Sequence, residues 1–264
     1  MKARIKHYLG IYQGFISTSF AESLNFRVHF VLLILMDFFF YGSSFLSIHF
    51  IYQHVEVIGT WHRNELMFFV SFMLSVNQLA MTFTSESYWR FPELIKRGEL
   101  DFVLLKPANS IFLVFFRYIR PGSAFNIIFT LPALIYFGIQ LGLGVTAWVM
   151  LPFLVAVAFL LQSAIDVILA TTMFWMLEGT GMNFLRIELQ QLSRWPDFIY
   201  PDIFRKFLSL GLPVLLIGSG PVRFLLEASD FIPLLVMLAL LVLFLIFLSF
   251  LWKKGLRAYE SASS

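Results

Sequence analysis

The sequence predicts an all-α integral membrane protein, and three observations carry that prediction. Apolar runs of about twenty residues recur along the chain, long enough to cross the ~30 Å hydrocarbon core of a bilayer as helices. Charged residues fill only 13% of the 264 positions and hydrophobic ones 59%, whereas a water-soluble chain carries roughly a quarter charged residues. The basic residues gather between the apolar runs, at the N-terminus, after the second run and at the C-terminus. Cysteine is absent, which excludes a disulfide framework, thiol chemistry and cysteine metal sites.

Residues 1–27 place Tyr8, Ile11, Tyr12, Phe15, Ile16 and Phe20 on one helical stripe, the pattern of a helix lying in the membrane interface. Gln13, Ser17, Ser19, Glu22 and Asn25 interrupt what a cleavable signal would need as its apolar core. Lys2, Arg4, Lys6 and Arg27 bias this end towards the cytoplasm. The first span is expected from Val28 to Ile51 and the second from Leu66 to Phe83. The loop between them holds His54, Glu56, His62 and Arg63, at a spacing that matches no metal-ligand motif. A third span is expected over Ile111 to Ile139, with Arg117 and Arg120 snorkelling to phosphates near its start. A fourth runs from Ala147 to Leu177 and the last from Phe231 to Trp252, ended by Lys253, Lys254 and Arg257.

Between the second and third spans lies the longest charge-bearing segment, Ser85 to Pro107. It interleaves Glu86, Arg90, Glu93, Lys96, Arg97, Glu99, Asp101 and Lys106 with large apolar residues at roughly helical spacing. A turn needs only a few residues, so this pattern predicts a short amphipathic helix docked on a partner.

If all three basic stretches lie on one side, the number of crossings is even, and five strong spans leave one hidden between Glu178 and Asp230. Ile203 to Gly218 is the more apolar candidate, but Gly211 and Pro213 break it. Thr180 to Trp195 is the more polar, with Arg186, Glu188, Gln190, Gln191 and Arg194, tolerable only against protein or an aqueous path. Composition leaves both open.

The run Lys96 to Pro107 resembles the R-x-G-x-L-D-x-x-L-x-x-P stretch of a family of bacterial ABC-2-type permeases, the membrane subunits of ATP-driven transporters. Arg194-Trp195-Pro196 with the following Tyr200-Pro201 resembles that family's R-x-P and Y/F-P element. Gly255-Leu256-Arg257-Ala258-Tyr259-Glu260-Ser261-Ala262 resembles its C-terminal G-L-x-x-Y-x-S-A. The resemblance implies one transmembrane domain over 1–264 with six spanning helices in a type V exporter-like arrangement. Within it, 1–27 is an interfacial elbow helix, 86–107 a cytoplasmic coupling segment, 201–227 an outer re-entrant pair and 253–264 a cytoplasmic tail. On that pattern Thr180 to Trp195 is the crossing. The resemblance also implies a bacterial cytoplasmic (inner) membrane location with both termini cytoplasmic, and export of an amphipathic, lipid-linked or polymeric substrate.

No G-x-x-x-x-G-K-[ST] phosphate loop occurs, so ATP and Mg are expected on a separate ATPase subunit, with no cofactor or catalytic group in this chain. The partners expected are that ATPase, a second permease chain of the same or a related kind, and the lipid bilayer, with no nucleic acid. The residues expected to touch the ATPase are Trp89, Arg90, Glu93, Arg97, Leu100, Asp101 and Phe102. The candidate intramembrane or pathway polar residues are Asp37, Asn77, Gln78, Asp166, Arg186 and Glu188, with Asp166 expected to pair with Arg117 or Arg120. Three other readings compete with this one. A proton-coupled secondary transporter lacks an internal repeat or a midplane carboxylate pair. A non-transport assembly or receptor subunit is discriminated by whether an ATPase co-purifies. An intramembrane enzyme is disfavoured by scattered histidines and the lack of H-E-x-x-H or G-x-S-x-G.

Overall fold

The computed structural model describes residues 2–176, 179–227 and 231–259, with side chains from Ile5 onward. The expected end of the fourth span at Leu177 and the tail residues Glu260, Ser261 and Ala262 lie outside them. The described residues are helical with short connections, and they form no strand beyond an isolated Ile58–Trp61 bridge. In chain order the helices are α1 Lys2–Asn25, α2 Arg27–Ile51, α3 Arg63–Phe83, α4 Ser85–Lys96, α5 Leu100–Leu104, α6 Ser110–Phe115, α7 Pro121–Ala124, α8 Ile127–Gln140, α9 Val145–Thr171, α10 Thr180–Leu192, α11 Asp202–Lys206, α12 Leu216–Leu226 and α13 Ile232–Ala258. Five helical stretches are long and apolar enough to cross a membrane, and a sixth, α11–α12, qualifies only as a pair bent by 96°.

At the centre lies α3, with Leu66, Phe68, Phe69, Phe72 and Val76 fully buried against α8, α9 and α12. It starts on a capping box, in which the His62 backbone N–H donates to Glu65 Oε2 at 2.6 Å. By contrast α2 and α13 expose most of their apolar side chains, as helices facing lipid do.

The second span continues past its expected end. Arg63 to Lys96 runs as one helical stretch of 34 residues that contains an apolar window, about 51 Å at 1.5 Å per residue, so α4 projects some 20 Å beyond a ~30 Å core. The amphipathic pattern of Ser85 to Lys96 is therefore satisfied inside this chain, because Tyr88, Phe91 and Leu94 are buried against its own α6 and α10. Gly98 then reverses the chain at φ +69°, a left-handed conformation that L side chains rarely adopt, and α5 folds back.

The third span begins at Pro121 rather than Ile111. Proline disfavours helical backbone in the residue before it, and Arg120 is extended at φ −105°, ψ 91°. The apolar run Ile111 to Phe115 is the separate short helix α6, whose Leu113, Val114 and Phe115 are core.

One end of the bundle carries Lys96, Arg97, Lys253 and Lys254 and is here the basic end. The other, the far end, carries Trp61. Helix α10 bridges the two. Asn183 Nδ2 donates to the Tyr88 carbonyl at 3.0 Å near its start, whereas Phe198, just beyond its end, meets Trp61 edge-on at 5.0 Å. The bent pair α11–α12 follows, its two helices meeting at 96°. Asp197 accepts from Arg205 Nε at 2.9 Å and Arg223 Nη2 at 2.6 Å, tying the start of the excursion to its finish.

Candidate functional site

Two features of the fold bring polar or exposed chemistry together: the tip beyond α4 at the basic end, and the groups lining the spans.

The tip stands on an aromatic girdle. Phe91 of α4 meets Phe115 of α6 at 5.1 Å and Trp252 of α13 at 5.9 Å, while Phe174, just past α9, meets Trp252 at 5.3 Å. Trp252 Nε1 donates to Ser110 Oγ at 2.9 Å, so the one polar atom of that ring is satisfied. At Gly255 the Phe174 ring lies so close that no Cβ could be accommodated, which lets α13 seat against the girdle. The ends of α4, α9 and α13 thus pack on one another through this girdle. Helix α1 docks beside them through Tyr12, which lies between Phe83 and Phe112, and burial pushes its hydroxyl pKa up to about 12.

Of the residues expected to contact an ATPase, the structure places three at the exposed tip and commits others to the chain itself. Phe102 is 70% exposed, and Glu93 and Arg97 form an exposed pair at 3.0 Å. Leu100 is wholly buried among the girdle residues and cannot reach a partner surface, a correction to its expected role. Arg90 is paired with Glu86 at 2.9 Å and Glu22 at 3.7 Å, with its guanidinium 4.4 Å over Tyr118. Trp89 packs edge-on to Phe184 of α10 while remaining exposed, and Asp101 is half-buried. Leu105, one of the apolar residues interleaved along this segment but not among the expected contacts, is 82% exposed beside Lys106.

The intramembrane polar residues are mostly partnered within the bundle. Asp37 accepts from Asn126 Nδ2 at 2.6 Å and Ser123 Oγ at 3.2 Å. Gln78 accepts from Thr130 Oγ1 at 2.5 Å and donates to the Ala124 carbonyl at 3.3 Å. Asp166 faces Arg186 at 4.0 Å and accepts from Gln190 Nε2 at 2.8 Å. Its partner is therefore on α10, not Arg117 or Arg120. Those two cover the Tyr118 ring and reach towards Met81 Sδ respectively. The Arg186 guanidinium lies 4.5 Å over Tyr88, and Glu188 is exposed beside Gln191.

Asn77 borders a cavity of about 200 Å³ between α2, α3 and the end of α10, with Ser43, Ser44, Ser47, Arg194 and Trp195. Sequence reasoning missed Arg194 as a lining residue, although the Arg194-Trp195-Pro196 stretch was its signal. Among the described residues no group of His, Asp and Glu could hold a metal ion.

Fold and site together define a multi-pass helical membrane protein with an exposed tip on an aromatic girdle at one end and a polar cavity between its spans. The chain belongs to the ABC-2 transporter family, since the family model described as "ABC-2 family transporter protein" matches residues 38–263. It is accordingly a membrane domain of the ABC-transporter permease type. No curated protein and no solved structure matches the chain.

Proposed function

We propose that this chain is the permease subunit of an ABC exporter, driven by a separate ATPase subunit that binds ATP and Mg and docks on the tip beyond α4. The carrying observation is the exposure of Phe102 and Leu105 on a turn backed by the aromatic girdle. Large exposed apolar side chains rimmed by Lys96, Arg97, Glu99 and Lys106 suit a groove in a protein partner. Because the girdle clamps α4 to the ends of α9 and α13, a displacement of the tip on ATP-driven closure would bias three spans at once, a population shift through differential contacts. The permease itself performs no catalysis in this reading.

The basic end faces the cytoplasm by the positive-inside tendency, with α1 as the interfacial elbow and α11–α12 as the outer re-entrant pair of a bacterial inner-membrane protein. The working unit holds two permease chains, the same or related, with the exposed face of α2 available for that contact. The cargo is amphipathic, lipid-linked or polymeric. The test is retention of an ATPase subunit on a tagged chain extracted from native membranes. Retention that falls with Phe102→Ala plus Leu105→Ala, but not with Lys96→Ala, supports the reading, and retention equal to wild type in both variants refutes it.

A further inference from the structure

Among the described residues Arg194, partly buried between spans, has no counter-ion. Its guanidinium lies 4.7 Å over the Phe40 ring. Phe40 is eleven residues along α2 from Ile51, and Asn77 fourteen along α3 from Arg63, so at 1.5 Å per residue they lie about 16 and 21 Å below the far-end termini of those helices. That is the middle of a ~30 Å hydrocarbon core. An arginine there is expensive unless it faces water, a carboxylate or a bound anion.

The carboxylates that other spans present are already committed, Asp37 to Ser123 and Asn126, Asp166 to Gln190 and Arg186, and Asp197 to Arg205 and Arg223. No carboxylate among the described residues lies within ion-pair distance of Arg194. Arg194 instead lines the cavity, together with Asn77, whose side chain also hydrogen-bonds the Tyr41 hydroxyl, and the half-exposed Trp195, whose indole N–H is a donor only. The hydroxyls of Ser43 and Ser44 donate to the Phe40 carbonyl at 2.8 and 3.0 Å, so their free lone pairs leave that wall polar and able to hold water. Ile48, Val70, Met73 and Leu74 complete an apolar wall. A donor-rich, carboxylate-free head beside an apolar wall is complementary to one kind of molecule.

We propose that this cavity binds the anionic headgroup, phosphate or carboxylate, of an amphiphilic substrate, with Arg194 as its counter-ion. The assignment rests on the permease reading and deepens it by naming the substrate class. The headgroup supplies the charge that the chain withholds, and the apolar remainder lies along α2 and α3. Release would follow from a movement of α10 that takes Arg194 away from the α2 and α3 walls.

The test is a titration of the full-length chain in neutral maltoside detergent with dodecyl phosphate, read by tryptophan fluorescence and by the thermal unfolding midpoint. Wild type is expected to bind saturably and to gain thermal stability. Arg194→Gln is expected to weaken binding by roughly tenfold or more, the loss of a charge-assisted contact, and Arg194→Lys by less. If Arg194→Gln does not fold, Asn77→Leu and Arg194→Lys carry the comparison at lower amplitude. An unchanged dissociation constant in the folded variants overturns the proposal. Equally tight dodecyl phosphocholine overturns the need for net negative charge, and equally tight inorganic phosphate reassigns the cavity to a free anion. ATPase retention is a separate measurement that Arg194→Gln leaves intact, so failure here and failure of the permease reading are told apart.

Discussion

Asp166 on α9 and Arg186 on α10 face each other at 4.0 Å with side chains only 4% and 5% exposed, and the Tyr88 ring covers the guanidinium. Taking two charges out of water costs about as much as their attraction returns, so the pair is a device for register more than for stability. Removing one partner is a different matter, because the other charge stays buried alone. Asp166→Ala is expected to cost about 3–5 kcal/mol, whereas Asp166→Leu combined with Arg186→Met recovers most of it. Thermal unfolding of the purified chain in detergent measures both. Equal midpoints for Asp166→Ala and wild type would mean that α9 and α10 are held by other contacts.

Leu100 and Phe102 are two residues apart and are expected to behave oppositely. Leu100 is buried in the girdle, so Leu100→Ala should lower stability by about 2–5 kcal/mol and lose partner retention only through misfolding. Phe102 projects from the surface, so Phe102→Ala should leave stability within about 0.5 kcal/mol while removing an interface anchor worth ~2 kcal/mol or more. Parallel measurement of unfolding midpoint and ATPase retention separates them. A Phe102→Ala variant that is stable and retains the ATPase fully would move the docking surface elsewhere.

Much of the fold was legible because lipid imposes a crude, strong signal. Five spans were readable from apolar length alone, and α2 and α13 needed nothing more. The limits appeared where apolar residues face protein instead. Ile111 to Phe115 reads like a span, yet it is core of the girdle, and Pro121 marked the true start. In α4 the periodicity correctly announced a covered face, but periodicity does not say what covers it, and the cover is this chain's own α6 and α10. Asp166 was recognisable as a pairing residue, while the identity of its partner depends on which helices are neighbours. At the far end Arg205 and Arg223 add positive charge that a count of basic residues would weigh against the topology. The structure shows both bonded to Asp197.

Gly255 offers a test of the girdle that needs no partner. A methyl group there would collide with the Phe174 ring, whose near atoms belong to the rigid aromatic body and not to a flexible chain end. Gly255→Ala is therefore expected to destabilise by about 1–3 kcal/mol despite the higher helix propensity of alanine. Phe174→Leu in the same chain should restore part of the loss, a coupling that a double-mutant cycle reads directly. Additive effects would show that α13 and the segment after α9 adjust independently, and the girdle would not then transmit motion between them.

The last expectation concerns sidedness, where the absence of native cysteine makes single-cysteine labelling clean. Asp202, at the start of α11, and Phe102, at the tip, are both exposed. If α10 crosses and α11–α12 is re-entrant, Asp202→Cys labels with a membrane-impermeant maleimide from outside intact cells, and Phe102→Cys labels only after the inner face is opened. Glu227 closes the hairpin and should report the same side as Asp202, because the Asp197 bonds to Arg205 and Arg223 hold both arms at the far end. Were α11–α12 a full crossing, Asp202→Cys and Glu227→Cys would label from opposite sides. Agreement between them, together with opposition to Phe102→Cys, is the outcome that a crossing α10 with a re-entrant α11–α12 requires. Asp197→Ala adds a second reading, since it leaves two cations without their shared acceptor. It should increase the labelling rate at Glu227→Cys as the hairpin loosens, without changing the side from which the label arrives.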